Sequence, residues 1–137
     1  MESSPIILAM TLPKIPDVEM VAIEGLQRLG HFLGIAEEKV GEARILVTEA
    51  VINAFEHSGA ADAQVEVEFT MTKEELTILV RDYGKGFEPS SVKDPVAGGK
   101  EMQKRGWGLK LMKSMSDDFR IDSNETGTRI TLKKKLV

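Results

Sequence analysis

The sequence contains no cysteine, which excludes disulfides, thiolate metal sites and a cysteine nucleophile. It has two histidines, His31 and His57, too few for a metal cluster built on imidazole. Basic residues are in the minority, since 18 lysines and arginines face 22 acidic residues and give a net charge of −4. This balance argues against a nucleic-acid or anionic-membrane binder, because both need a basic surface.

Long apolar runs are also lacking. No segment approaches the 18 apolar residues of a membrane-spanning helix. The run Ile6–Met10 is too short for a signal-peptide core, and no basic stretch precedes it. The 137 residues suit one domain that buries about 68% of its unfolded surface. We therefore predict a cytoplasmic protein with a single domain over residues 1–137.

The apolar periodicity predicts an α+β protein. Asp17 is a candidate N-cap of the first helix, and Gly34 ends that helix. The predicted elements are a strand at 6–12, helices at 17–33 and 37–57, strands at 65–70 and 76–80, a helix at 109–115, and strands at 119–122 and 128–132. This order predicts a two-layer sandwich, with a mixed, mostly antiparallel sheet and helices on one face.

The stretch Tyr83–Gly106 lacks periodicity and is rich in glycine, which predicts a long loop. Loops of this length in compact domains are usually functional. We expect residues 88–105 to form a lid that is mobile without a ligand, because the segment holds few apolar anchors. The run Lys133-Lys134-Lys135 is predicted to be a solvated strand end.

Polar residues cross an otherwise apolar part of the second helix. Glu49, Asn53 and Glu56 are spaced i, i+4, i+7 and share one face. A carboxylate beside a neutral amide oxygen could serve as a base next to Mg²⁺, which prefers oxygen ligands. The alternative is the solvated edge of an amphipathic helix.

Asp82, Gly84 and Gly86 follow directly on an apolar strand. A carboxylate there can accept a hydrogen bond from an exocyclic amine, and the glycines let the backbone pass close to a flat ligand. An ordinary strand-to-loop turn would have a similar composition.

A basic segment opens the last predicted helix. The amides of Gly106 and Gly108 at a helix N-terminus would form an anion site, and phosphate fits. A helix cap with solvated lysines is the alternative. The cations of this segment are Lys100, Lys104, Arg105, Lys110 and Lys113, opposed by Glu101 alone. The P-loop and dinucleotide-binding patterns are both missing.

Taken together and in order, these pieces resemble the motifs of the gyrase/histidine-kinase/MutL ATPase superfamily over about residues 40–132. The matching pieces are Glu49-x-x-x-Asn53, Asp82-x-Gly84-x-Gly86, Gly106-x-Gly108-Leu109 and Gly127-Thr128. The resemblance implies a histidine-kinase-like ATPase fold that binds ATP and Mg²⁺.

The resemblance also implies roles for individual residues. Glu49 would be the catalytic carboxylate and Asn53 the Mg²⁺ ligand. Asp82 would bind the adenine amino group, Gly86 would admit the base and Thr128 would support it. The glycines of the third motif would close over the phosphates. The residues implied to bind the nucleotide are Asn53, Asp82, Gly84, Gly86, Lys100, Lys104, Arg105, Gly106, Gly108, Leu109 and Thr128.

Within the superfamily the chain is most similar to the small anti-sigma-factor serine kinases of bacteria. The similarity lies in Val47–Ala54, Met112–Asp118 and Gly127–Leu132. It implies phosphorylation of a serine in a STAS-type antagonist, sequestration of a sigma factor, or both, and it allows a homodimer.

Two alternatives share the same motifs. One is a nucleotide-gated binding module with little or no phosphotransfer, and the other is a structural domain with vestigial motifs. The sequence also departs from the kinases at two places. Glu56 stands where an apolar residue is more usual, and the helix ends in His57-Ser58 rather than His-Gly. We expect His57 to be structural.

Overall fold

The protein is described from a computed structural model covering residues 4–58, 63–84 and 100–137, with the backbone alone over 100–107. The described residues form five strands and three helices. In chain order these are β1 (Ile6–Pro13), α1 (Glu19–Leu33), α2 (Glu37–Ser58), β2 (Gln64–Met71), β3 (Glu75–Asp82), α3 (Lys100–Met115), β4 (Asp118–Asn124) and β5 (Gly127–Lys135).

The strands form one sheet in the order β1-β2-β3-β5-β4. Every strand pair in the described residues is antiparallel, which confirms the predicted α+β class and makes the sheet wholly antiparallel rather than mixed. The chain leaves the sheet after β3, forms α3 and returns to add the hairpin of β4 and β5. Because β5 pairs beside β3, the end of β3 faces the start of β5, with Asp82 opposite Thr128.

The core lies between the sheet and the helices, as the strand patterns predict. Val65, Val67 and Phe69 are fully buried on β2, while the intervening Glu66 and Glu68 are partly exposed. The same alternation occurs on β3. α2 contributes most of the buried helical residues, namely Ala43, Leu46, Val47, Ala50, Val51, Asn53, Ala54 and Ser58. Among the described helices, none combines the length and apolar character that crossing a bilayer requires.

The start of α1 differs from the prediction. The helix begins at Glu19, and no side chain caps its N-terminus. Asp17, the expected cap, is exposed and has a φ of 63°. Aspartate is one of the residue types that tolerate this left-handed conformation. Asp17 therefore belongs to the connection between β1 and α1.

The start of α3 also differs. The helix begins at Lys100, nine residues before the predicted start at Leu109. The prediction is wrong because Gly106 and Gly108 are weak helix formers, a composition that is typical of a helix boundary. The preceding residues, Lys100–Arg105, are all good helix formers. Both glycines therefore lie inside α3, so their amides are not at its N-terminus.

Lys134 is buried, which contradicts the predicted solvated strand end. Its side chain is 6% exposed, and its Nζ lies 2.5 Å from Glu42 Oε2 on α2. The same ammonium donates a hydrogen bond of 3.2 Å to the carbonyl of Met115, the last residue of α3. A cation at a helix C-terminus is favourable, because the last carbonyls there lack intrahelical partners. Lys134 thus ties β5 to both α2 and α3.

We expect the Glu42–Lys134 pair to make stability depend on acid pH. The hydrogen bond from Lys134 lowers the pKa of the Glu42 carboxyl. A lowered folded-state pKa contributes stability above the unfolded pKa of about 4.3, and this contribution is lost as the pH falls through the folded pKa. The melting temperature of Glu42→Gln should therefore lie below that of the wild type at pH 7 and approach it as the pH is lowered toward about 3.

The control is Glu125→Gln, which removes an exposed carboxylate in the β4–β5 turn. It should leave the pH profile of melting unchanged. A difference between Glu42→Gln and wild type that stayed constant from pH 7 to pH 3 would argue against the ion pair.

Candidate nucleotide-binding site

α2 carries a buried polar group where the core is otherwise apolar. Asn53 is 5% exposed, and its Oδ1 has no hydrogen-bond partner within the part of the chain that the structure describes. An unsatisfied buried carbonyl oxygen is costly, and in native structures it usually points to a missing water, ion or ligand. The amide oxygen is thus available to a ligand.

Glu49 lies one turn before Asn53 on α2 and is partly buried. Its Oε2 lies only 2.9 Å from the position that a Cβ would take on Gly108 of α3. The missing side chain at Gly108 therefore leaves space for the Glu49 carboxylate. We predicted that Gly108 would offer an amide to phosphate, and the contact with Glu49 is one that the motif spacing did not indicate.

Asp82 ends β3 and is 2% exposed. Its Oδ1 accepts a 2.9 Å hydrogen bond from the backbone N–H of Gly84, and the backbone N–H of Thr128 also donates to the carboxyl group. Burial raises the pKa of Asp82, while the two N–H donors and the nearby His57 lower it. The donors fix the orientation of the carboxylate, which has lone pairs left to accept further hydrogen bonds.

Two glycines bring backbones together around Asp82. A Cβ on Gly84 would lie 2.6 Å from the Cα of Ser58 at the end of α2. A Cβ on Gly127 would lie 2.1 Å from the carbonyl oxygen of Asp82, and Gly127 has a φ of 145°. We predicted that Gly84 would let the chain approach a flat ligand, but the close approach observed is to α2.

Thr128 lies beside Asp82 and is 4% exposed. Its hydroxyl is 2.8 Å from the hydroxyl of Ser123 on β4. Ser123 was not predicted, because no motif includes it and its position depends on the register of the β4–β5 hairpin. The strand pairing and the contact with Ser123 thus fix Thr128 beside Asp82, while its role in supporting a base stays a prediction.

The other predicted residues divide into three groups. Leu109 is partly buried and packs against the core, while Lys110 and Lys113 are exposed on α3. Lys100, Lys104, Arg105 and Gly106 belong to α3, where only the backbone is described. Gly86 and residues 88–99 of the predicted lid lie outside the described residues, while residues 100–105, which we predicted to belong to the lid, are helical in α3.

Glu56 is exposed and lines a surface groove whose described lining does not include Glu49 or Asn53. The predicted stripe of three polar residues therefore separates into a pair at the site, Glu49 and Asn53, and a third residue beyond it. His57 lies close enough to Asp82 to lower its pKa, so it belongs to the surroundings of the site.

The donor set fits a magnesium ion. The orphaned Asn53 oxygen and the Glu49 carboxylate are both oxygen donors, the type that Mg²⁺ prefers. No group of three or more histidine, aspartate or glutamate residues in the described ranges could hold a metal alone. An ion here would therefore take further ligands from phosphates or water, as Mg²⁺ commonly does.

Comparison with known proteins identifies the family of the chain. Residues 17–134 match the histidine kinase-like ATPase domain family. The serine-protein kinase RsbW of Oceanobacillus iheyensis is 24% identical over 135 residues, which cover 93% of this chain and 85% of that protein. An anti-sigma F factor of Clostridium novyi is 31% identical over 104 residues, with 72% and 73% covered.

Solved structures show the same fold. A Mycobacterium tuberculosis protein with RsbU and RsbW domains superposes with a TM-score of 0.67 at 20% identity. The match covers 96% of this chain and 32% of that one, so the chain spans about a third of that protein. The histidine kinase domain of the Erythrobacter litoralis EL346 blue-light activated kinase gives a TM-score of 0.54 at 20% identity, with 87% and 63% covered.

These features define an ATPase domain of the histidine-kinase type, a class that implies ATP binding. The chain belongs to the histidine kinase-like ATPase domain family and, within it, to the anti-sigma-factor kinase group that includes RsbW and the anti-sigma F factors.

Gly108→Ala should alter the site without unfolding the protein. The added Cβ meets the end of a flexible side chain, so the fold can adjust by moving the Glu49 carboxylate. Alanine also favours the helix by roughly 0.5–1 kcal/mol. We expect an unchanged or higher melting temperature and a loss of ATP turnover of roughly 100-fold, the effect of displacing a reacting group by about 1 Å.

Gly41→Ala is the matched control, because Gly41 is also inside a helix and a Cβ there meets nothing within 4 Å. It should raise stability by a similar amount and leave turnover unchanged. Normal turnover in Gly108→Ala would mean that the Glu49 position does not matter.

Asp82→Asn should weaken nucleotide binding while the fold is retained. The new amide oxygen can still accept from Gly84 and Thr128, but its NH₂ group cannot accept a hydrogen bond from an adenine amine. A lost hydrogen bond to a charged group costs about 1.5–3 kcal/mol, so Mg-ADP affinity should fall by about 10- to 100-fold in calorimetry. Asp118→Asn, at an exposed site on β4, should bind Mg-ADP like the wild type. Equal affinity in Asp82→Asn would refute the adenine assignment.

Proposed function

We propose that the protein is a cytoplasmic, ATP-dependent serine kinase that phosphorylates a serine of a STAS-type antagonist protein and sequesters a sigma factor. The observation that carries the proposal is the buried Asn53 oxygen, which has no hydrogen-bond partner among the described residues and lies one helical turn from Glu49. An amide oxygen and a carboxylate in this relation suit phosphoryl transfer to a hydroxyl. The relative named serine-protein kinase supports the phosphorylation, and the relative named anti-sigma F factor supports the sequestration.

In this proposal each residue of the site has one task. Asp82 accepts a hydrogen bond from the adenine amino group, and Thr128 supports the base beside it. Asn53 holds Mg²⁺, which when bound neutralises charge on the phosphates. The Glu49 carboxylate takes the proton of the serine hydroxyl as that oxygen bonds to the γ-phosphorus and ADP leaves.

A site with so few catalytic groups is sufficient for phosphoryl transfer. The reaction depends mainly on positioning and on electrostatic stabilisation of the phosphates, with little covalent chemistry for the protein to perform. Positioning is provided here by backbone contacts, since Asp82 is held by two N–H groups and Glu49 lies against Gly108.

Sequestration with little or no transfer is the second candidate function. It is favoured by one observation, the 31% identity to a protein named for its action on sigma F rather than for a kinase activity. Both functions would use the same nucleotide site, and they differ only in whether phosphoserine forms on the antagonist.

Glu49→Gln separates binding from transfer. The amide keeps the shape of the carboxylate and cannot accept the serine proton. With radiolabelled ATP and the cognate STAS protein, we expect phosphoserine to form roughly 10²- to 10⁴-fold more slowly, the usual contribution of a general base. ATP affinity should change little. Asn53→Ala should lose the Mg²⁺-dependent part of nucleotide binding.

Glu38→Gln, an exposed position near the start of α2, serves as the control and should transfer phosphate normally. Full transfer by Glu49→Gln would show that the base is another group. A stable complex of the wild type with its partner, without phosphoserine, would establish sequestration instead.

A further inference from the structure

A shallow apolar groove of about 430 Å³ lies between the β1–α1 connection and one side of α2. Ile15 and Pro16 form one wall, and Ile52 and Phe55 form the other. Ile15 is 57% exposed, although it is a large apolar residue. The groove is therefore apolar surface that the described part of the chain leaves uncovered.

The groove and the candidate nucleotide site both include residues of α2. At 100° and 1.5 Å per residue, Ile52 lies about 4.5 Å along the helix from Glu49 and about 60° to one side of it. Asn53 lies about 40° to the other side. Glu49 is thus placed between the amide that faces the proposed nucleotide and the wall of the groove.

The rim of the groove is acidic. Asp17, Glu19 and Glu56 line it, with Lys14 as the one cation among the described lining residues. Anionic phosphates are disfavoured on such a surface, whereas lysine and arginine side chains are favoured. Eight described residues line the groove, compared with the 20 to 30 that each partner contributes to a typical stable interface. This size suits a short peptide segment better than a second copy of the chain.

We propose that this groove binds the acceptor segment of the protein substrate, with an apolar side chain against Ile52 and Phe55 and a basic side chain near Glu56. This rests on the proposed kinase function. Glu56 lies about 10.5 Å along α2 from Glu49, and an extended segment advances about 3.3 Å per residue. The basic residue therefore lies about three positions from the serine whose hydroxyl meets Glu49.

The test uses fluorescent nine-residue peptides in the presence of Mg-ADP. The parent peptide has a central serine, a neighbouring leucine and a lysine three positions from the serine. Two versions are prepared, one with the lysine before the serine and one with it after. In one partner peptide glutamate replaces lysine, and in another glycine replaces leucine. Fluorescence anisotropy should show that one of the two parent peptides, with the lysine either before or after the serine, binds wild type more tightly than the peptides with glutamate or glycine. We expect a difference in affinity of at least about fivefold.

Charge reversal at the rim should reverse this preference. Glu56 is exposed, so Glu56→Lys should fold normally and favour the glutamate peptide. Phe55→Ala should weaken all the peptides, with circular dichroism and Mg-ADP affinity as checks on its fold. Arg44→Glu changes an exposed charge in a separate groove between α1 and α2, and should leave the peptide preference unchanged.

Equal binding of the lysine and glutamate peptides by wild type overturns the proposal, as does an unaltered preference in Glu56→Lys. The proposal is also overturned if wild type shows no peptide preference and Phe55→Ala or Glu56→Lys changes the oligomeric mass. That result would assign the groove to a contact between copies of the chain. If phosphoserine forms on a STAS protein but wild type shows no peptide preference, the proposed kinase function stands and the proposed peptide groove is wrong. If wild type prefers the lysine peptide but phosphorylates no STAS protein, the peptide groove is supported and the proposed kinase function is wrong.

Discussion

The site depends on the contact between Gly84 and the C-terminal end of α2. A side chain at Gly84 would meet the backbone of Ser58, so only glycine lets the end of β3 lie against the helix. This contact fixes Asp82 relative to Asn53, because each residue belongs to one of the two elements that touch. Gly127 brings the start of β5 equally close to the Asp82 carbonyl. The geometry of the site is therefore determined by backbones, which are less adaptable than side chains.

A second pair of contacts fixes α3 along α2. At one end Lys134 joins Glu42 to the carbonyl of Met115, and at the other end Glu49 lies against Gly108. On α2 the contact positions Glu42 and Glu49 are seven residues apart, and on α3 so are Gly108 and Met115. The later residue of α2 contacts the earlier residue of α3, so the two helices run in opposite directions. The two helices are thus antiparallel in matching register over about two turns. The ion pair between Lys134 and Glu42 holds the end of α3 and so helps to place Gly108 beside the Glu49 carboxylate.

The sequence predicted what depends on local pattern and missed what depends on distant contacts. The alternation around Val67 and the run of apolar residues on α2 identified the layers of the fold. Glu49, Asn53, Asp82 and Thr128 were chosen from short motifs, and the structure places them on α2 and on the paired strands β3 and β5, while their roles stay predictions. The burial of Lys134 could not be predicted, because its partner is remote in sequence and lysine is usually exposed. The start of α3 was misplaced because two glycines inside the helix serve packing rather than termination.

The distribution of charge gives α2 two different sides around Glu49. On one side lie Asp82, at the end of β3, and Asn53, whose buried amide oxygen has no hydrogen-bond partner among the described residues. This is the side on which we propose a cation with its anionic ligands. On the other side the rim of Asp17, Glu19 and Glu56 disfavours phosphate and favours a basic polypeptide. In the proposed function Glu49 transfers a proton between two substrates and has to reach both of them, and a position on the boundary between these two surfaces meets that requirement. Attraction at an exposed rim is screened by salt, whereas interactions of buried groups such as Asn53 and Asp82 are screened much less. Raising the ionic strength should therefore affect the two sides unequally, weakening the proposed contact with a polypeptide before the proposed contact with a nucleotide.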